Sequence, residues 1–327
     1  LTTSKPAGSS SAPNFATDGA WSAITLLAPS TIGEPMAWSD QRAIDLRYGR
    51  PVLALQLHKS AAPEASPLAL VELAEPGPAA GELVLDVAAC AVCRTDLQLV
   101  EGDLEARRLP IVPGHQAVGR VHQLGQDVAG WEVGERAGVA WLASTCGECQ
   151  YCLTSRENLC PRARFTGWDR DGGYATRIVV RADFALRIPD GFDDLAAAPL
   201  LCGGVIGYRS LKMSGIEPGG RLGLFGFGAS ALLALQVARF WDCEVHVRTR
   251  SPREQQRALE LGAKSAAAYD ETTPPLDAAV TFAPSGDVVV AALRSVARGA
   301  TVAINAIHLD RIPEFSYDLL WLERSLR

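Results

Sequence analysis

Cysteine is distributed unevenly along this chain: four of its eight cysteines, Cys146, Cys149, Cys152 and Cys160, fall in one short stretch. Thiolates at such spacings let a single loop wrap a tetrahedral Zn2+, and four sulfurs leave no open position, so the ion expected there is structural. A disulfide framework suits small secreted chains without a sufficient core, which this chain is not. A zinc that does chemistry needs three protein ligands and an open fourth place. Three separated residues offer such a set: Cys93 in Cys93-Arg94-Thr95-Asp96, His115 in Pro113-Gly114-His115, and Cys202 in Cys202-Gly203-Gly204. Taken singly, each reads more readily as a packed thiol or a satisfied imidazole. Asp96 is either a loop cap or a carboxylate that holds a metal-bound imidazole or water from behind. Cys90, Cys243, His58, His122, His246 and His308 are assigned to packing.

A third constellation lies further on. Gly226-Phe227-Gly228-Ala229-Ser230-Ala231 stands where a hydrophobic strand meets an apolar helix. In that context a GxGxxA turn brings a pyrophosphate up to the backbone N–H groups of a helix N-terminus. The next strand ends near Arg248-Thr249-Arg250-Ser251, with no acidic side chain to accept a ribose 2′-hydroxyl, so Thr249 and Arg250 lean toward NADP+ over NAD+.

These side chains need elements to carry them. Residues 1–50 open with a Ser/Ala/Pro/Gly-rich segment without sustained period and read as a disordered leader. Residues 51–206 show short β-rich runs, such as Leu83–Ala89 and Thr176–Val180, between Gly/Pro turns, the texture of a compact mainly-β domain whose loops carry most of the metal ligands. Residues 207–327 alternate: strands at Arg221–Gly226, Glu244–Arg248, Asp277–Phe282 and Ala300–Asn305, helices at Ala229–Trp241, Pro252–Leu261 and Asp287–Ala297. That is βαβ order, hence an α/β protein with a Rossmann-type doubly wound parallel sheet.

With 327 residues, 48% hydrophobic and 21% charged, the chain has material for a full core. A net charge of -6 without a Lys/Arg-rich run argues against nucleic acid, and no apolar run is long enough to span a bilayer. The expectation is a soluble, cytoplasmic protein acting on a small molecule.

In order and separation, Cys93-Arg-Thr-Asp, Pro113-Gly-His115, the Cys146–Cys160 cluster, Cys202 and the GxGxxA turn resemble the zinc-dependent medium-chain alcohol dehydrogenases, over about Val52 to Arg327. The likeness extends to bacterial members that prefer small primary alcohols, which place a pocket-narrowing aromatic where this chain has Trp141. The resemblance implies a GroES-like catalytic domain before the Rossmann domain, two Zn2+ per chain, NAD+ or NADP+, an alcohol or aldehyde substrate and a homodimer or homotetramer. It further implies that Cys93, His115 and Cys202 hold the catalytic zinc, that Arg94 reaches the cofactor pyrophosphate, and that Thr95 relays the alcohol proton. The sequence departs from the family at Gln116, where relatives commonly carry Glu, and at Gln98, where many carry the His that ends the proton relay. A slower enzyme with an altered pH profile is expected from these changes. The chain also stops at Arg327, where the family continues through a final strand, so an open sheet edge is expected there. The other readings are a non-catalytic zinc- and nucleotide-binding relative, and a polyol or formaldehyde dehydrogenase on the same scaffold.

Overall fold

The computed structural model describes residues 51–327, and the expected leader lies outside them. The described chain opens on an antiparallel hairpin of β1 (Val52–Leu57) and β2 (Leu68–Leu73). β3 (Glu82–Cys90) then runs into α1 (Arg94–Glu101), and β4 (Ala117–Leu124) and β5 (Arg136–Val139) follow. A short ladder of β6 (Leu142–Ser144) and β7 (Arg164–Phe165) brackets the cysteine-rich loop. β8 (Arg177–Arg181) and β9 (Ala185–Arg187) complete a five-stranded antiparallel sheet in the order β8-β3-β4-β5-β9. Period-two patterning sends Leu83, Leu85, Val121, Val139, Ile178 and Val180 to one buried face. The expected strands at 83–89 and 176–180 are thus present, offset by one residue at each end.

α2 (Asp194–Ala197), capped where the Asp193 carboxylate accepts the Ala196 N–H at 2.7 Å, leads to Cys202 and α3 (Gly203–Ser214). The helix α3 runs across positions 206 and 207 and packs on the elements that follow. Those elements are β10 (Arg221–Phe225), α4 (Ala229–Phe240), β11 (Glu244–Arg248), α5 (Pro252–Glu260), β12 (Ser265–Ala267), β13 (Leu276–Thr281), α6 (Gly286–Ser295), β14 (Val296–Ile304) and β15 (Ser325–Leu326).

All the pairings in this second sheet are parallel, in the order β12-β11-β10-β13-β14-β15. In chain order that is 3-2-1-4-5-6, the doubly wound arrangement whose ligands sit at the carboxyl ends of the strands, where the winding reverses between β10 and β13. Because both faces are covered, strand residues are apolar on both: Leu222, Leu224 and Val280 face α3 and α4, while Phe225, Ala279 and Val302 face α6. Burying side chains of this size contributes roughly 1.5–3 kcal/mol each. The expected open edge beside β14 is covered: Thr301 and Val302 pair with Ser325 and Leu326.

Candidate active site

Cys93 is the N-cap of α1, and the loop between α1 and β4 presents His115. Cys202 is the N-cap of α3. The three segments are far apart in sequence, yet their ligand atoms all lie within 4.8 Å of one another. His115 Nε2 is 3.3 Å from Cys202 Sγ. A zinc tetrahedron with ordinary Zn–N and Zn–S bonds has an N···S edge of about 3.6 Å, so the donor set is already near the spacing an ion needs.

The imidazole is aimed by Asp96. Its Oδ1 lies 2.9 Å from His115 Nδ1 and accepts the Gly114 N–H at 3.2 Å. Its Oδ2 accepts the Cys93 N–H at 2.8 Å and the Tyr174 hydroxyl at 3.0 Å. Committing Nδ1 to a carboxylate leaves Nε2 as the free donor atom and fixes the ring plane. Gly114 adopts φ +93°, and a Cβ there would stand 2.5 Å from the Tyr174 ring, so only glycine lets the tyrosine close over this loop.

The four-cysteine loop is similarly assembled. Sγ separations are 3.5 Å for Cys149–Cys152, 3.5 Å for Cys146–Cys160 and 3.8 Å for Cys146–Cys152. The edge of a tetrahedron with 2.3 Å Zn–S bonds is about 3.8 Å. Both clusters therefore fit zinc by donor chemistry and by spacing.

Residues 79–190 match the alcohol dehydrogenase GroES-like domain. The chain is 49% identical over 281 residues to a probable alcohol dehydrogenase, AdhA, of Mycobacterium tuberculosis, with 84% of this chain and 81% of that protein covered. The chain belongs to the zinc-dependent medium-chain alcohol dehydrogenases. It is also 36% identical over 247 residues to an alcohol dehydrogenase of Geobacillus stearothermophilus, covering 72% of this chain and 73% of that one. In three dimensions it resembles a cinnamyl alcohol dehydrogenase of Sorghum bicolor with a TM-score of 0.77 at 24% identity, over 84% of this chain and 82% of the other, a likeness of fold.

In this dehydrogenase Cys93, His115 and Cys202 hold protons unequally. A hydrogen bond from the Cys202 thiol, helped by His115 and opposed by burial, holds Cys93 well below the usual thiol range. Cys202 is correspondingly pushed up, first by that bond and then by burial. Burial alone would lower His115, but Asp96 and Cys93 outweigh it and raise the imidazole to about 9. Zinc must displace the protons on Cys202 and His115, so its affinity for the site falls as pH falls. In the other cluster, the backbone N–H groups of Glu148 and Cys149 bring Cys146 down to about 6 against burial.

Thr95 is half-buried in the first turn of α1, with its backbone N–H on the Cys93 thiol. Asp96, expected among the catalytic residues, has both oxygens engaged by protein partners. Arg94 is exposed and paired with acids near its own helix, 3.0 Å from Glu101 and 3.9 Å from Asp103. Gln116 is buried and its amide donates to the Ala91 carbonyl at 3.4 Å, tying the His115 loop to the end of β3, while Gln98 is buried in α1. Trp141 meets the His115 ring edge-on at 4.8 Å. Burial lifts Cys90 to about 12, and Cys243 and His246 are buried, whereas His58 and His308 are exposed.

At the sheet's carboxyl edge, Gly226 adopts φ +89° and a Cβ there would lie 2.8 Å from the Ala283 nitrogen. A Cβ on Gly228 would meet nothing within 4 Å, and no side chain caps α4, so Ala229 and its neighbours leave N–H groups open to an anion. Two buried side-chain atoms at the same edge, Thr281 Oγ1 and Asn305 Nδ2, have no hydrogen-bond partner within the protein and are free to meet a ligand. Thr249 donates to the Glu254 carboxylate. Arg248 is drawn inward, donating to the Thr272 carbonyl at 3.0 Å, and Arg250 is exposed.

Reading the chain alone missed Tyr174, Phe165 and Trp168. The available signal was Gly172-Gly173 before Tyr174: a Cβ on Gly172 would lie 2.1 Å from the Gly114 carbonyl oxygen, the mark of a backbone laid directly on the ligand loop.

Proposed function

We propose that this dehydrogenase reversibly oxidises small primary alcohols to aldehydes, with two zinc ions per chain and NADP+ as the preferred acceptor. The observation that carries the reading is the convergence of Cys93, His115 and Cys202, beside Trp141, onto one point. Zinc held there supplies a Lewis acid that lowers the pKa of an alcohol oxygen, and the nicotinamide supplies the hydride acceptor. The protein's part is positional. Asp96 holds the imidazole, the open N-terminus of α4 would hold the pyrophosphate at Gly226, Gly228 and Ala229, and Arg94, here paired with Glu101, is the cation assigned to it. Thr95 Oγ takes the hydroxyl proton and passes it to water or the cofactor ribose, because the buried Gln98 does not titrate. We place the enzyme in the cytoplasm as a homodimer or homotetramer. Among the described residues no helix is long and apolar enough to cross a membrane.

Initial rates of NADP+ and NAD+ reduction with ethanol and 1-propanol test the reading, and absence of turnover with both contradicts it. The cofactor preference has its own test. Arg250 is the exposed cation at the end of β11, and a charge-assisted bond to a 2′-phosphate is worth about 1.5–3 kcal/mol, or roughly ten- to a hundredfold. Arg250→Gln is expected to lower the NADP+ to NAD+ ratio of kcat/KM by that factor; an unchanged ratio removes Arg250 from the site.

A further inference from the structure

Trp141, the ring beside His115, does not stand alone. Its face is stacked on Phe165 at 5.0 Å and on Trp168 at 5.7 Å, and those two rings are 5.8 Å apart. Three mutually touching rings form one rigid block whose inner edge is the Trp141 contact with the imidazole. Trp168 is the member furthest along the chain from Trp141. Its Nε1 donates to the Glu105 carbonyl at 2.8 Å, and its ring packs on the buried cluster of Leu57, Leu99 and Ile111. Over it lies the Arg107 guanidinium, 3.6 Å from the ring centroid.

Arg107 is itself fixed. It donates to both oxygens of Asp169 at 3.0 and 3.2 Å, and the Asp169 side chain, only 5% exposed, also accepts the Phe165 N–H at 2.9 Å. A parallel pair, Arg108 with Asp171 at 2.9 Å, engages the Val112 N–H at 3.0 Å two residues before the glycine of the His115 loop. The segment around residue 107 is therefore clasped to the segment 165–171, with the aromatic block between that clasp and the metal ligands.

We infer that Trp168 is a specificity-determining residue that fixes Trp141 against the substrate space, and that Arg107 is a positioning residue that acts through Trp168. The inference rests on the alcohol dehydrogenase reading of the site. The class of substrate it selects is the unbranched, aliphatic primary alcohol; a flat or branched alcohol needs Trp141 to move back, and Trp168 blocks that movement. Removing a large side chain from behind a pocket wall opens room for several carbon atoms, where even one methylene changes selectivity about tenfold or more.

The test compares Trp168→Ala, Trp168→Phe and Arg107→Gln with the parent enzyme, using ethanol and benzyl alcohol. It reads kcat/KM for each alcohol, alcohol binding by quenching of tryptophan emission, and the circular-dichroism exciton couplet of the stacked indoles. Trp168→Ala is expected to raise the benzyl alcohol to ethanol ratio about tenfold, chiefly through KM, and Trp168→Phe to restore most of the parent ratio. Arg107→Gln is expected to shift the ratio in the same direction and to weaken the couplet, at unchanged zinc content. If Trp168→Ala folds poorly, Arg107→Gln decides alone. Ratios and couplet that stay at the parent values in Arg107→Gln, or equal losses for both alcohols in Trp168→Ala, overturn the inference while leaving the dehydrogenase reading intact. Size-graded binding that shifts in the variants without any turnover in the parent upholds the inference and overturns that reading instead.

Discussion

Asp96→Asn is expected to lower kcat/KM for ethanol by about a hundredfold and to weaken zinc at the Cys93 site by a similar factor, the upper end of what the loss of an outer hydrogen-bond partner costs. Each oxygen of this buried carboxylate accepts two bonds: His115 Nδ1 and the Gly114 N–H on Oδ1, the Cys93 N–H and the Tyr174 hydroxyl on Oδ2. An amide cannot satisfy all four. Whichever way it is turned, its NH2 faces two donors, and the atom that remains an acceptor carries no full charge. The imidazole then loses the partner that keeps Nε2 directed at the two sulfurs, and the α1 N-terminus loses the carboxylate that closes on the Cys93 N–H. Competition against a chelator measures the zinc affinity, and steady-state kinetics at saturating zinc separate weakened binding from misorientation. Values within threefold of the parent in both would mean that Asp96 is only a cap for the helix.

Cys149→Ser is expected to destabilise the 146–160 loop by more than about 4 kcal/mol, the range in which loss of a metal site falls, and so to speed proteolytic nicking inside it roughly a thousandfold. The loop has little else to hold it. Its regular structure is two single turns, Cys152–Thr154 and Glu157–Leu159, and Leu153 and Leu159 are exposed at 72% and 48%. Only Cys160 among the four sulfurs is in a buried residue. Without the ion, four thiols would sit at 3.5–3.8 Å with nothing to compensate the ordering of the chain around them. Because β6 and β7 bracket the loop, and Trp141 and Phe165 flank or lie in them, fraying there reaches the aromatic wall. Limited proteolysis with and without a chelator reads the effect. Equal cleavage rates in Cys149→Ser and the parent would show that backbone contacts suffice to hold the loop.

The parts of the fold that were plain in the sequence are those set by local periodicity. β11 over Glu244–Arg248 and the starts of α4 and α5 follow from apolar patterning and from Gly228, Ser251 and Pro252 at their N-termini. β14 begins at Val296, earlier than the apolar run at Ala300, and its register against β13 shifts where Arg298 and Gly299 interrupt the apolar pattern. The edge strand Ser325–Leu326 is two residues long, too short for a periodic signal, and is defined by its pairing with β14. Within the site, Cys93, His115 and Cys202 were visible as residue types, and Asp96 by its spacing from Cys93. The directions in which Arg94 and Arg248 turn were not legible, because where a long side chain goes depends on the carbonyls and acids around it: Glu101 and Asp103 for one, Thr272 for the other. The clasp of Arg107 with Asp169 and the Tyr174 hydroxyl on Asp96 join residues 62 and 78 positions apart, and no local pattern encodes such contacts.

The most direct test of the account is zinc per chain, measured together with ethanol-dependent reduction of NADP+ and NAD+, on the parent protein and on Cys93→Ala. The account predicts two zinc ions with turnover in the parent, falling to about one ion and no turnover in the variant, since the four-cysteine loop keeps its own metal. One ion in both proteins, or turnover that survives the loss of Cys93, would contradict it.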